Sequence, residues 1–119
     1  MIVIADDCAL TRLVLARELE KRGLPVTYVV SLSAGRALRA PVACALVDLD
    51  LGDGSGTQLA EHLRERTPAL PIAFFTASPD TTEARRLGPV FRKPEGLADA
   101  LAWVAAHARV ATEPREPPR

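Results

Sequence analysis

The chain is poor in the residues that would define several common classes of protein. Two cysteines in 119 residues, Cys8 and Cys44, are too few for a disulfide scaffold and lack zinc-ligand spacing, so both are expected as buried or partly buried free thiols. Basic and acidic residues balance at 15 each, which leaves no global field to attract nucleic acid or an anionic membrane. No apolar run approaches the roughly 20 residues of a membrane span, and the N-terminus enters an apolar strand without a charged leader. A cytoplasmic chain of one domain is the expectation. Of the two histidines, His62 and His107 fall in helical patterns and are expected on solvent faces.

Against these absences stand short apolar runs, each ending on a residue suited to phosphate chemistry. Asp6 and Asp7 follow Met1 to Ala5, Asp48 follows Ala45-Leu46-Val47, Thr76 follows Ile72 to Phe75, and Lys93 follows Val90-Phe91-Arg92. The runs read as strands buried on both faces. Between them lie helical patterns, expected over 8–22 with Asp7 as the cap, 33–40 with a serine cap and Pro41 as the break, about 57–66, and 81–87. Strands are expected over 26–30 and 43–48 as well. Three glycines between Leu51 and Gly56 make a loop able to approach a ligand closely, with Asp53 among them as a structural residue.

The last helix has the clearest period, through Leu97, Leu101, Val104, Ala105 and Ala108, with Trp103 as a packing or exposed ring. After Ala108 the composition turns polar and proline-rich, so 1–108 is expected as the domain and 109–119 as a tail or linker. Strands alternating with helices through short loops predict an α/β fold, a (βα)5 three-layer sandwich of flavodoxin-like type with parallel sheet order 2-1-3-4-5. Parallel strands bring their C-terminal ends to one edge. There Asp6, Asp7, Asp48, Thr76 and Lys93 would share one pocket.

Two carboxylates ~4 Å apart repel by roughly 4 kcal/mol at an effective dielectric near 20. Either a proton or a hard cation must offset that charge; Mg²⁺ suits such an oxygen-rich set, with Lys93 and the Thr76 hydroxyl opposite it. Singly, each residue is an ordinary strand-end side chain. Together they describe a site for phosphoryl chemistry in which Asp48, between a buried strand and a glycine loop, is the candidate nucleophile.

The order Asp6-Asp7, Asp48, Thr76, Lys93-Pro94 resembles the receiver domain of two-component response regulators, the CheY-like family, from Met1 to about Ala108. The resemblance implies that Asp48 accepts a phosphoryl group from a histidine kinase, a phosphotransfer protein or a small phosphodonor. It implies Mg²⁺ held by Asp7 directly, by Asp6 mainly through water, by Asp48, and by the backbone carbonyl of Asp50. It further implies that Thr76 bonds the phosphoryl group and swings toward it, that Lys93 pairs with it, and that Lys93-Pro94 is a cis peptide. A downstream protein target and a homodimer belong to the same expectation, without direct nucleic-acid or membrane contact and without enzymatic activity beyond self-catalysed phosphotransfer and dephosphorylation.

Two features depart from the family pattern. Val90 stands where an aromatic residue usually couples to the threonine, with Phe91 one place later on the opposite face of the strand, and the stretch from Thr76 to Lys93 is short. Two other readings fit parts of the pattern. Asp48-Leu49-Asp50, Phe75-Thr76 and the lysine also resemble haloacid-dehalogenase-type phosphatases, although only Glu95 and Asp99 closely follow Lys93 as acidic candidates. A receiver-like module that binds partners without phosphorylation is the other.

Overall fold

Apolar segments too short to fold as helices and buried on every side dictate the centre of the molecule. The computed structural model describes residues 1–112, with side chains described through Ala108. Five strands, β1 (Ile2–Ala5), β2 (Val26–Val29), β3 (Cys44–Val47), β4 (Ile72–Thr76) and β5 (Val90–Arg92), form one parallel sheet in the order β2-β1-β3-β4-β5. This is the predicted flavodoxin-like order. Every residue of β1, β3 and β4 is buried, as expected of strands covered on both faces.

The alternation of side chains along each strand divides the core in two. Val3, Ala5, Val47, Ile72 and Phe74 meet Leu59 and Leu63 of α3 (Gly56–Arg66) and Ala84 of α4 (Thr82–Leu87). Ile2, Ile4, Leu46 and Phe75 meet Leu15 and Leu19 of α1 (Ala9–Lys21) and Leu101, Val104 and Ala108 of α5 (Leu97–Thr112). Val90 packs on the first side and Phe91 on the second, so the departure noted at β5 is real in space. Trp103 packs beside the second cluster and stacks on His107 with ring centroids 4.2 Å apart.

Local chemistry moved several boundaries. Cys8 rather than Asp7 occupies the N-cap of α1: its N–H donates to Asp6 Oδ1 at 2.9 Å, which leaves the Asp7 carboxylate exposed at the pocket. α2 is Leu32–Arg36, shorter than the predicted 33–40, and its cap is Ser31, whose hydroxyl accepts from Ala34 N–H at 3.0 Å. Arg66, from the end of α3, donates to the carbonyls of Leu38 at 2.5 Å and Arg39 at 3.1 Å and so fixes the segment that follows α2. α5 runs through Thr112, and the rest of the expected 109–119 tail lies outside the described residues.

Neither histidine is a simple surface residue. His62 is half-buried with Nε2 shielded, and His107 is half-buried and bonded through Nδ1 to the Trp103 carbonyl at 2.8 Å. Cys44 is buried as predicted, whereas Cys8, at the N-cap of α1, is exposed. Among the described residues no helix is long and apolar enough to cross a membrane.

Candidate functional site

The strand order sets β1 beside β3, and the two strands run in register from Ile2 opposite Cys44 to Ala5 opposite Val47. Their next residues are therefore neighbours. Asp48 N–H donates to the Ala5 carbonyl at 2.8 Å and Asp6 N–H to the Val29 carbonyl at 3.1 Å, so both backbones are held by the sheet even where the strands formally end. Asp6 and Asp48 are only 2% and 8% exposed.

A carboxylate oxygen from each of Asp6, Asp7 and Asp48 lies within 4.8 Å of the others. Lys93 answers that charge: its ammonium is 2.9 Å from Asp6 Oδ2 and 3.0 Å from Asp48 Oδ2, and lies 5.7 Å from the centre of the Phe75 ring. Burial is the main influence on Asp6 and raises its carboxyl above the usual range, outweighing the Lys93 and Cys8 hydrogen bonds; the nearby Asp48 charge adds to the rise. For Lys93 burial opposes the charge, yet the two carboxylates prevail and the ammonium is held above its ordinary value.

The backbone aims these groups. Arg12 donates to the Asp6 carbonyl at 2.9 Å, fixing the start of α1 against the end of β1. Gly52, at φ +79°, gives the β3–α3 loop a left-handed turn beside Asp7 that a side chain would strain. Asp53 ties the same loop to α2, accepting from the N–H groups of Leu32 at 2.7 Å and Ser33 at 3.0 Å. Lys93 N–H bonds the Thr76 carbonyl at 2.9 Å, and Lys93-Pro94 is cis. Thr76 is 1% exposed and its Oγ1 accepts from Ser78 N–H at 3.0 Å.

Asp7, Asp48, Asp50, Thr76, Ser78 and Lys93 line one cleft of about 370 Å³. All residues predicted for the site thus converge, Asp6 forming its floor through Lys93. The sequence reading missed Arg12 and the Asp53 clasp, because a hydrogen bond between one side chain and the main chain of another segment leaves no periodic trace. It also missed Arg92, whose guanidinium donates to the Ser78 carbonyl.

The donor set is all oxygen, three carboxylates gathered around one point with one of them exposed, and it fits a hard divalent cation of the Mg²⁺ kind. Chemically, the cleft can offer a fixed carboxylate nucleophile, an ammonium and a hydroxyl to a tetrahedral anion.

Comparison with known proteins identifies the family and agrees with the fold. The family model for the response regulator receiver domain matches residues 2–88 and stops just short of Lys93. The photosynthetic apparatus regulatory protein RegA of Rhodovulum sulfidophilum is 32% identical over 99% of this chain and 68% of its own length; RegA of Rhodobacter capsulatus is 44% identical over 64% of this chain and 41% of its own. The chain therefore spans about two fifths to two thirds of these relatives. The non-phosphorylated HemR receiver domain from Leptospira biflexa superposes with a TM-score of 0.78 at 27% identity, covering 98% of each chain. A beryllofluoride-activated DrrB receiver domain shares the fold at a TM-score of 0.79 and 18% identity. Neither comparison favours the phosphatase reading.

Proposed function

This chain belongs to the response regulator receiver domain family, and on that premise we propose that Asp48 is its phosphoacceptor, with Lys93 and Thr76 as the groups that hold the transferred phosphoryl. The observation that carries the reading is the Lys93 ammonium held between the carboxylates of Asp6 and Asp48 at the ends of β1, β3 and β5. One cation shared by two buried acids leaves the site short of positive charge. A cation bound by Asp6, Asp7, Asp48 and the Asp50 carbonyl would supply it and neutralise charge on the phosphoryl oxygens.

In the transfer, a carboxylate oxygen of Asp48 attacks the donor's phosphorus. The O–P bond forms as the bond to the leaving group breaks, and the leaving group departs with the bonding pair. Lys93 then faces a doubly charged phosphoryl instead of a singly charged carboxylate. Thr76, whose hydroxyl now accepts from Ser78 N–H, turns to donate to a phosphoryl oxygen. Water reverses the modification by attack on the same phosphorus, so the chain's chemistry is confined to its own loading and unloading.

The donor is a histidine kinase, a phosphotransfer protein or a small acyl phosphate. Exposed Leu10 on α1, with Val14, Phe75, Pro94 and Leu97, borders an apolar cleft directly beside Lys93, a place for a protein donor to rest while its phosphohistidine enters the site. A cytoplasmic setting and a downstream protein target follow from the same reading. The test is intact-mass measurement after incubation with acetyl phosphate and Mg²⁺. One phosphoryl adduct is expected, absent without Mg²⁺ and absent in Asp48→Asn; an adduct that persists in Asp48→Asn would place the acceptor elsewhere.

A further inference from the structure

We propose that Arg92 is the positioning residue that couples Thr76 to the loop leading into α4, the task an aromatic residue at the place of Val90 would otherwise perform; this rests on the reading of Thr76 as a phosphoryl ligand. Val90 cannot do it. Its register partner on β4 is Phe74, it packs into the core beside α3 and α4, and its branched side chain has neither a polar tip nor rotamer freedom.

Arg92 lies two residues further along the same face of β5, and its register partner is Thr76 itself. Both reach the same residue. Thr76 Oγ1 accepts the Ser78 N–H at 3.0 Å, and the Arg92 guanidinium donates to the Ser78 carbonyl. Ser78 is thus gripped from two adjacent strands, one grip on each side of its Cα. From Ser78 the chain runs through Pro79 and Asp80 into the N-cap Thr81, so its position sets where α4 begins.

When the Thr76 hydroxyl turns toward a phosphoryl group on Asp48, the Ser78 N–H loses its acceptor. The only remaining hold on Ser78 among these two grips is the Arg92 bond to its carbonyl, and the loop must break that bond to leave its resting place. A charge-assisted bond made in the resting arrangement stabilises that arrangement and opposes loop movement. By linkage, whatever it contributes to the resting state is subtracted from the affinity for a phosphoryl mimic. Removing the guanidinium therefore tightens binding by about three- to tenfold, the equivalent of one partly exposed hydrogen bond to a charged group.

The experiment is a beryllofluoride titration in Mg²⁺ of the wild type, Arg92→Ala, Arg92→Lys and Asp48→Asn, followed by the amide resonances of Thr76 and Ser78. Arg92→Ala is expected to bind more tightly by the stated factor, with its unliganded Ser78 resonance shifted toward the liganded wild-type position. Arg92→Lys, which keeps a donor of the same charge, should fall between. A wild-type Ser78 resonance and unchanged affinity in Arg92→Ala overturns the coupling, as does weaker binding, while loss of binding in Asp48→Asn alone leaves the phosphate site intact. Failure of the wild type to bind, or equal binding by Asp48→Asn, overturns the site and the coupling with it.

Discussion

The ammonium of Lys93 stands 3.0 Å from the Asp48 carboxylate, a contact that spans 45 positions of sequence and closes the pocket from the β5 side. The same nitrogen lies 2.9 Å from Asp6. Both acids are buried, so Lys93 is a structural counterion, and that duty is separable by experiment from the phosphate-binding one proposed for it.

Lys93→Ala removes that counterion and leaves Asp6 and Asp48 facing each other. Breaking a largely buried pair costs about 2 to 4 kcal/mol, and the loss should appear in urea unfolding without divalent cations. Mg²⁺ then binds a more negative site, so its stabilising effect should be larger in the variant than in the wild type. Equal Mg²⁺ effects in the two proteins would show that the cation and the ammonium do not share the same carboxylates.

The Asp53 clasp gives a pH signature of a different sign from a buried acid. The backbone N–H groups of Leu32 and Ser33 hold its carboxyl below the ordinary 3.8, so the folded state favours the ionised form. A depressed carboxyl contributes stability that is present above the unfolded value and lost as pH falls through the folded one. Asp53→Asn should therefore be less stable than wild type well above pH 3.8, with the gap narrowing in stronger acid. Faster amide exchange at Leu32 and Ser33 in the variant would locate the effect at α2.

How far the sequence disclosed this depends on whether the information was local. β4 and β5 end where their apolar runs end, at Thr76 and Arg92, and the pocket followed because parallel strands share an edge. α2 was misplaced because its start and end depend on distant partners, Asp53 at one end and Arg66 beyond the other. The Asp7 cap failed for a subtler reason. Asp6 reaches past its neighbour to the Cys8 N–H, which no propensity scale registers. Arg92 carried no signal at all, since one arginine at a strand end is unremarkable until the loop folds over it.

The two thiols should separate cleanly by reactivity. Hydrogen bonds from Thr11, first from its side chain and then its N–H, hold the exposed Cys8 thiol below its usual range, whereas burial pushes Cys44 up to about 11. Iodoacetamide under native conditions should add one group, at Cys8, and a second only after denaturation. Rapid native labelling of Cys44 would mean that β3 opens, which the sheet's central position argues against.

Gly88, between α4 and β5, tests how the fourth unit is built, with Gly23, between α1 and β2, as the contrast. Gly88 has extended backbone that any residue could adopt, but a Cβ there would stand 2.0 Å from the Ile72 carbonyl oxygen, against main chain that cannot yield. That contact lets the six-residue α4 return directly onto the start of β4 and deliver β5 into register. Gly88→Ala must push the junction away, at a cost on the order of 3 kcal/mol, and the displacement carries Lys93 with it. Gly23 is the opposite case. It sits at φ +71° with nothing within 4 Å, so Gly23→Ala strains only its own backbone, by about 1 kcal/mol, and leaves the pocket alone. Urea unfolding should rank the variants in that order, and acetyl phosphate labelling should fall in Gly88→Ala but not in Gly23→Ala. If both label like the wild type, the spacing between Thr76 and Lys93 is held by β5 pairing itself and not by the tight crossing at Gly88.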